Sequence, residues 1–472
     1  MSVETYKNQY KKYINFINKY RKASNAASGS EVDSNANVEN KNITTCTGEL
    51  FKREAIGTNR LLMINKLEEL YGDYGKELAE EYIRQLESHE IYKHDETSIY
   101  PYCVSITMYP YLFHGLSTIG GISNAPKNLD SFCGSFINLV FAIASQFAGA
   151  VATPEFLMYL DYFIRKEYGD SYYQRYDEVV GNRTIEKSLE SKFQQIVYSL
   201  NQPAAARNFQ SVFWNLAYFD KPYFDGMFET FVFPDGTEPK WESVNWLQKK
   251  FMKWFNQERL RKILTFPVET VNLLNDGTDF IDKEWANFAA TMWSEGHSFF
   301  LYTSDSVDSL ASCCRLKNEI QENTFSYTLG AGGVSTGSKG VITINVNRFV
   351  QNVKKKYGTN FSFDVLSNEM QYQVAKIHKY LIAFNEIMKD NFNAKMLPVY
   401  DAGYISLNKQ YLTLGINGFV EGAEFLGIEP GVNAEYFKYG EAILKPIYTQ
   451  NKLDRTEELM FNTECVPKMC GY

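Results

Sequence analysis

Cysteine is scarce in this chain, seven in 472 residues, and no two are spaced C-x-x-C. A zinc site is therefore poorly supported, and the thin scatter of thiols fits the reducing cytoplasm rather than a disulfide framework. Positive charge is also in short supply. The formal net charge is −8, and no basic run interleaves with aromatics as a nucleic-acid groove requires, so no nucleic-acid partner is expected. Long apolar runs are missing too. The longest, "FINLVFAIASQFAGAVA" from Phe136 to Ala152, carries Asn138 and Gln146 and is too short for a bilayer span. It reads as a buried helix, and no membrane partner is expected. The N-terminal "MSVETYKNQYKKYINFINKYRK" is amphipathic and polar, unlike a signal peptide. No fixed-period repeat is present.

What the chain does have is bulk and aromatic content. With 34 Phe and 33 Tyr in 472 residues, it can bury a large core, as two or three domains or as one barrel with insertions. Residues 1–22 read as a helix, and the Ser/Asn-rich stretch 23–48 as an extended segment. Residues 50–90 repeat apolar positions at helical spacing, and further helices are expected near 130–152, 154–201, 241–262, 283–296 and 367–392. Short apolar, β-branched segments alternate with these helices, which points to an α/β barrel.

Against this background "SCCRL", Ser312 to Leu316, places two thiols side by side. Adjacent cysteines seldom close a disulfide, because the small ring strains the peptide between them. Residue type alone favours one buried packing thiol beside a chance neighbour. Five glycines follow between Gly330 and Gly340, then a β-branched run from Val341 to Val346 ahead of Asn347 and Arg348. A phosphate loop would need G-x-x-x-x-G-K-[ST]. Here Gly333, Gly337, Lys339 and Gly340 break both the spacing and the residue after lysine.

Read in order, however, several segments are similar to one family. "SDSVDSLASCCRL", the glycine stretch and "GVITINVNRF" resemble the cysteine-bearing finger loop and following strand of class III (anaerobic) ribonucleotide reductases. "SEVDSNANVENKNI", "HEIYKHDETSIYPYCVSI", "NQPAAARNFQSVFWN", "LTFPVET", "LPVYDAGYISLNKQYLTLGINGFVEGAEFLGI" and "FNTECVP" continue the match in sequence. "APKNLDSFCGSFINLVFAIASQFAGAVATPEF" resembles the helical region used there for dimer and effector contacts. Specificity lies in the concerted order over about residues 30–467 rather than in one motif.

The resemblance implies a ten-stranded α/β barrel of the ribonucleotide reductase and glycyl-radical-enzyme kind, with a central finger loop. It divides the chain into 1–48, without an ATP-cone, and a catalytic barrel, 49–472, lacking its C-terminal section. It implies anaerobic reduction of ribonucleoside triphosphates, with Cys314 as the thiyl position and Cys103 as the second active-site thiol. Asn345 would contact substrate, where the plainer reading is a strand-end asparagine satisfying a turn. His94, Asn462, Thr463 and Glu464 would bind substrate, although a His94–Asp95 pair often just fixes a loop. Formate is the implied reductant, and dNTP or ATP the effectors. The family's zinc site and glycyl-radical loop are not expected in this chain. "KMCGY" with Gly471 reads as an unrelated run, so a complementary C-terminal fragment would supply the glycyl radical, as if a gene were split. A homodimer with surfaces at 128–150 and 155–170, and a radical-SAM activating enzyme, complete the implied partners. Two rivals stay open. One is a pyruvate formate-lyase-like enzyme, in which Cys313 and Cys314 both work; the other is a non-catalytic nucleotide-binding remnant.

Overall fold

The computed structural model describes residues 2–22, 43–202, 211–262, 264–307, 309–312, 316–319 and 334–465. Helix α1, Val3–Lys22, carries Glu4 in its first turn and Lys19, Arg21 and Lys22 in its last, the charge order that the helix dipole favours. Helix α2, Ile43–Glu87, begins earlier than the Ser/Asn-rich composition suggests. Its first turn tolerates threonine because the Thr47 hydroxyl donates back to the Ile43 carbonyl at 2.9 Å. The long helical pattern is also broken: Gly72 has φ +59°, a conformation open to glycine at little cost. Two helices run end to end where periodicity alone reads one.

The chain forms two compact units, Met1–Glu54 with Val104–Ser335 and Asp401–Ile405, and Ala55–Cys103 with Thr336–Tyr400 and Ser406–Tyr472. In the first unit, helices and strands alternate. They are β2 (Cys103–Ser105, whose first residue belongs to the second unit), α3 (Tyr109–His114), α4 (Leu129–Ala144), β3 (Val151–Ala152), α5 (Phe156–Tyr168), β4 (Val179–Val180), β5 (Arg183–Thr184) and α6 (Ile185–Leu200). Then follow β6 (Trp214–Phe219), α7 (Lys221–Phe228), α8 (Trp241–Arg259), β7 (Val268–Leu274), α9 (Lys283–Ser294), β8 (Phe300–Ser304), β9 (Ser309–Ser312) and β10 (Leu316–Glu319). Strands β2, β3, β6, β7 and β8 pair in that order, all parallel. The helix starts are written in the sequence. Asn128 and Ser131 close a capping box on α4, while Thr184, Asp220 and Asp282 cap α6, α7 and α9.

The long apolar run therefore splits into the end of α4 and the short strand β3, and no helix among the described residues is long and apolar enough to cross a membrane. Phe136 of this run joins aromatics from the neighbouring elements in the core. Phe136 and Phe156 stack at 4.5 Å, Phe132 and Phe163 at 4.7 Å, and Trp214 meets Phe156 edge-on at 5.2 Å. This corrects one expectation. Helix α5 is buried from Phe156 through Arg165, so most of 155–170 is core rather than a surface for a second subunit.

At the start of α5 lies a buried carboxyl. Glu155 is 0% exposed; its Oε2 accepts from the Met108 N–H at 2.7 Å and the Thr107 hydroxyl at 3.3 Å. Burial pushes it up from 4.5 to about 8, so the folded protein keeps a proton that the unfolded chain has released. Its stabilising effect is full below pH 4.5, falls as pH rises toward 8, and does not recover above that. Glu155→Gln, which cannot ionise, is expected to remove this fall. Denaturant unfolding of both proteins at about pH 6 and about pH 9 reads it; parallel losses in the two proteins would contradict it.

The second unit is built on β1 (Ile91–Lys93), β11 (Thr336–Asn345), β12 (Gln410–Asn417) and β13 (Met460–Cys465), with α10 (Val346–Tyr357), α11 (Phe363–Asn393), α12 (Pro398–Asp401), α13 (Phe419–Phe425) and α14 (Ala434–Leu453). Strands β11, β12 and β13 are parallel, β1 runs antiparallel to β11, and the sheet is mixed. Ile342, Ile344, Leu412, Leu414, Ile416 and Phe461 join the helices in one apolar core. Side chains alternate along a strand, so the intervening residues fall on the opposite face. Gly340 lies at a register shift in β11, and a Cβ there would sit 2.7 Å from the Phe384 ring.

Candidate active site

That opposite face is polar. Thr413 on β12 is opposite Asn462 on β13 and donates its hydroxyl hydrogen to Asn462 Oδ1 at 2.8 Å. Ser338 on β11 lies 2.8 Å from the same Thr413 oxygen. Glu464, two residues beyond Asn462 and pairing with Gly415, is on this side and buried. After β1, His94 Nε2 lies 2.8 Å from the Thr343 hydroxyl of β11, and the imidazole ring is edged by Tyr92 and Tyr102. Burial, then the neighbouring Lys93, pulls His94 down to about 4, so it is a neutral ring that can donate or accept.

Cys103 is 1% exposed. Its carbonyl accepts from Gln410 Nε2 at 3.0 Å, and the Tyr400 hydroxyl in turn donates to Gln410 Oε1 at 2.6 Å. Lys339 is buried as well, donating to Asn385 Oδ1 at 2.7 Å, and burial lowers it to about 8. It and Gly337 lie within strand β11, which excludes a phosphate loop there.

In the first unit, Asn215, Thr270 and Asn272 occupy one face of β6 and β7, all buried. The Thr270 hydroxyl donates to the Leu216 carbonyl and Asn272 Nδ2 to the Tyr218 carbonyl, both at 3.2 Å. Strands β9 and β10 form an antiparallel pair in which Ser312 is opposite Leu316. Cys313 and Cys314, together with Gly330 and Gly471, lie outside the described residues. Among the described residues, no group of three or more His, Cys, Asp or Glu is placed to hold a metal.

Comparison with known proteins supplies the frame for this geometry. Residues 52–468 match the family model described as anaerobic ribonucleoside-triphosphate reductase. The chain belongs to that family. Solved reductases agree. The Thermotoga maritima anaerobic ribonucleotide reductase with citrate in the active site is 29% identical with a TM-score of 0.77, over 91% of this chain and 75% of that one. The same enzyme in complex with dATP and CTP gives 29% and 0.76, over 90% and 68%. A further anaerobic ribonucleotide reductase reaches 0.80 at 29% identity, over 97% of this chain and 70% of its own. No curated protein matches the sequence. The family match decides against the lyase reading and makes this chain a ribonucleotide reductase with an α/β fold.

For the reductase, the residues expected from sequence separate into two groups. His94, Asn462 and Glu464 are brought to one polar face, in the unit that buries Cys103. Thr463 falls on the other side of β13, exposed and accepting from Asn451 Nδ2 at 2.8 Å, as alternation demands. Asn345 caps α10: its Oδ1 accepts from the Arg348 N–H at 3.1 Å and its Nδ2 donates to the His89 carbonyl at 3.2 Å. Thr343, Thr413, Ser338 and Gln410 were not singled out from sequence. For Thr343 and Thr413 the signal is the period of two in "VITIN" and "YLTLGIN", where a small polar residue falls between apolar ones; Ser338 and Gln410 lie outside both stretches.

Proposed function

We propose that this chain carries the substrate-handling part of ribonucleoside triphosphate reduction, with Cys314 as the thiyl that removes the ribose 3′-hydrogen. Cys103 is the thiol that returns hydrogen to the substrate radical. An S–H bond is close in strength to the activated ribose C–H bond, so sulfur can take that hydrogen nearly reversibly where an acid or base cannot. The reading is carried by the row of His94, Thr343, Thr413, Asn462 and Glu464 on one sheet face, in the unit that buries Cys103. Of these, His94, Asn462 and Glu464 suit the hydroxyls of a ribose, while the Thr343 and Thr413 hydroxyls are engaged with His94 and Asn462 behind them. Asn345 enters as the residue that fixes the β11–α10 turn beside them.

Formate is the favoured reductant, since it needs only two working thiols. Cys133 is a poor third: it is 0% exposed and burial pushes its thiol up to about 12, which leaves it a packing residue. The paired strands β9 and β10 on either side of 313–315 support a finger loop, within a ten-stranded barrel. A glycyl radical from a complementary C-terminal fragment would supply the oxidising equivalent to Cys314. A radical-SAM activating enzyme, dNTP or ATP effectors and a second copy of the chain belong to the same reading, as does a cytoplasmic setting.

Anaerobic co-expression of this chain with such a fragment and an activating enzyme, supplied with CTP and formate, is expected to yield dCTP. Failure of the chains to associate, with no product, would leave the nucleotide-binding remnant as the better account.

A further inference from the structure

We propose that the Thr413 hydroxyl, backed by Ser338, is a positioning group that sets the orientation of the Asn462 side-chain amide toward the nucleotide. This rests on the reading of Asn462 as a substrate contact. Three neighbouring parallel strands each contribute one member: Ser338 from β11, Thr413 from β12, Asn462 from β13. Both links are 2.8 Å long. Each hydroxyl has one hydrogen to give. The Thr413 hydrogen goes to Asn462 Oδ1, so the Ser338 hydrogen goes to Thr413, ahead of its longer alternative, the Gly340 carbonyl at 3.2 Å. The row thus has a direction, from Ser338 through Thr413 to the amide oxygen.

That direction matters because an asparagine amide has two nearly equivalent orientations that exchange donor for acceptor. A hydroxyl donor facing Oδ1 selects one of them and turns the NH2 group away from Thr413. Threonine suits the task, since its β-branch limits rotation, and Thr413 and Ser338 are both 0% exposed. Apolar packing alone would be served as well by valine, whereas a buried hydroxyl costs free energy unless it is bonded. The plainer alternative is that the row merely stitches the sheet together. That role would lower stability without reaching the nucleotide.

A double-mutant cycle on the full chain separates the two, reading CTP affinity by equilibrium binding and folding by thermal unfolding. Thr413→Val is expected to weaken CTP binding about tenfold, the size of one hydrogen bond to a ligand. Thr413→Ser, which keeps the hydroxyl, is expected to bind as the parent does. In an Asn462→Ala background, Thr413→Val is expected to have no further effect on CTP. Thr413→Val with unchanged CTP affinity, or an equal loss in both backgrounds, overturns the positioning role. Asn462→Ala binding CTP like the parent overturns the substrate-contact reading of Asn462 itself, a different failure. Should Thr413→Val not fold, Ser338→Ala carries the same cycle, expected to give a smaller loss of CTP affinity that also vanishes without Asn462.

Discussion

Replacing Cys314 with alanine is expected to abolish deoxyribonucleotide formation in the reconstituted reductase while leaving effector binding intact. Alanine has no hydrogen-transfer group, and nothing else in "LASCCRL" except Cys313 offers a thiol. Serine at 314 should be equally inactive, because an O–H bond is much stronger than S–H and an oxygen radical is not formed under the same driving force. Every tenfold in rate corresponds to about 1.4 kcal/mol of barrier, so, if Cys314 opens the route to the substrate radical as proposed, its loss takes turnover below detection. Anaerobic assay of CTP reduction measures this, with dATP binding as the control for folding. Turnover surviving in Cys314→Ala would sink the assignment of this cysteine.

The second large effect is on stability. Phe156→Ala is expected to cost about 3–5 kcal/mol, the range for deleting a buried aromatic ring. Phe156 is 0% exposed and its ring meets Phe136, Trp214 and Phe251 at centroid distances of 4.5, 5.2 and 6.4 Å. The surrounding rings sit on three separate elements, α4, β6 and α8, and cannot all move inward to fill the space. A cost of this size is a large part of the roughly 5–15 kcal/mol that separates folded from unfolded domains. Phe156→Leu keeps most of the volume and should cost much less. Urea unfolding reads the difference as a shift in midpoint at constant slope; a loss below about 1 kcal/mol for Phe156→Ala would mean that this cluster is not the packing centre of its unit.

Local features of the fold were legible because local chemistry determines them. Caps such as Asn128, Asp220, Asp282 and Ser362 mark helix starts, and the β-branched run after Gly340 belongs to a strand. The break at Gly72 was hidden because glycine is tolerated within a helical pattern until tertiary packing exploits it. The burial of α5 was hidden for a related reason: "FLMYLDYFIRKEY" carries Asp161 and Arg165, which look like surface residues. In the structure they pair with each other at 2.8 Å in the interior, and the Tyr172 hydroxyl also donates to Asp161.

For the candidate site, residue identity came through more readily than direction. "FNTE" offered Asn462, Thr463 and Glu464 together, yet a strand sends the middle residue to the opposite face from its neighbours. Asn345 shows the same limit, since a strand-end asparagine can equally face a ligand or cap the next helix, and here its amide is engaged at the start of α10. Thr413 was invisible for another reason. Its importance depends on Ser338 and Asn462, 75 and 49 residues away in the chain, and only strand pairing brings the three together.

The most direct test of the whole account follows the ribose 3′-hydrogen. Reconstituted enzyme would be given CTP carrying tritium at C3′ under anaerobic conditions, and label transferred from the nucleotide to solvent would be counted as dCTP forms. With Cys314 exchanging its abstracted hydrogen with water, release is predicted during turnover of the parent chain and none from Cys314→Ala. Formation of dCTP with all tritium retained and no 3′-isotope effect would contradict hydrogen abstraction by Cys314.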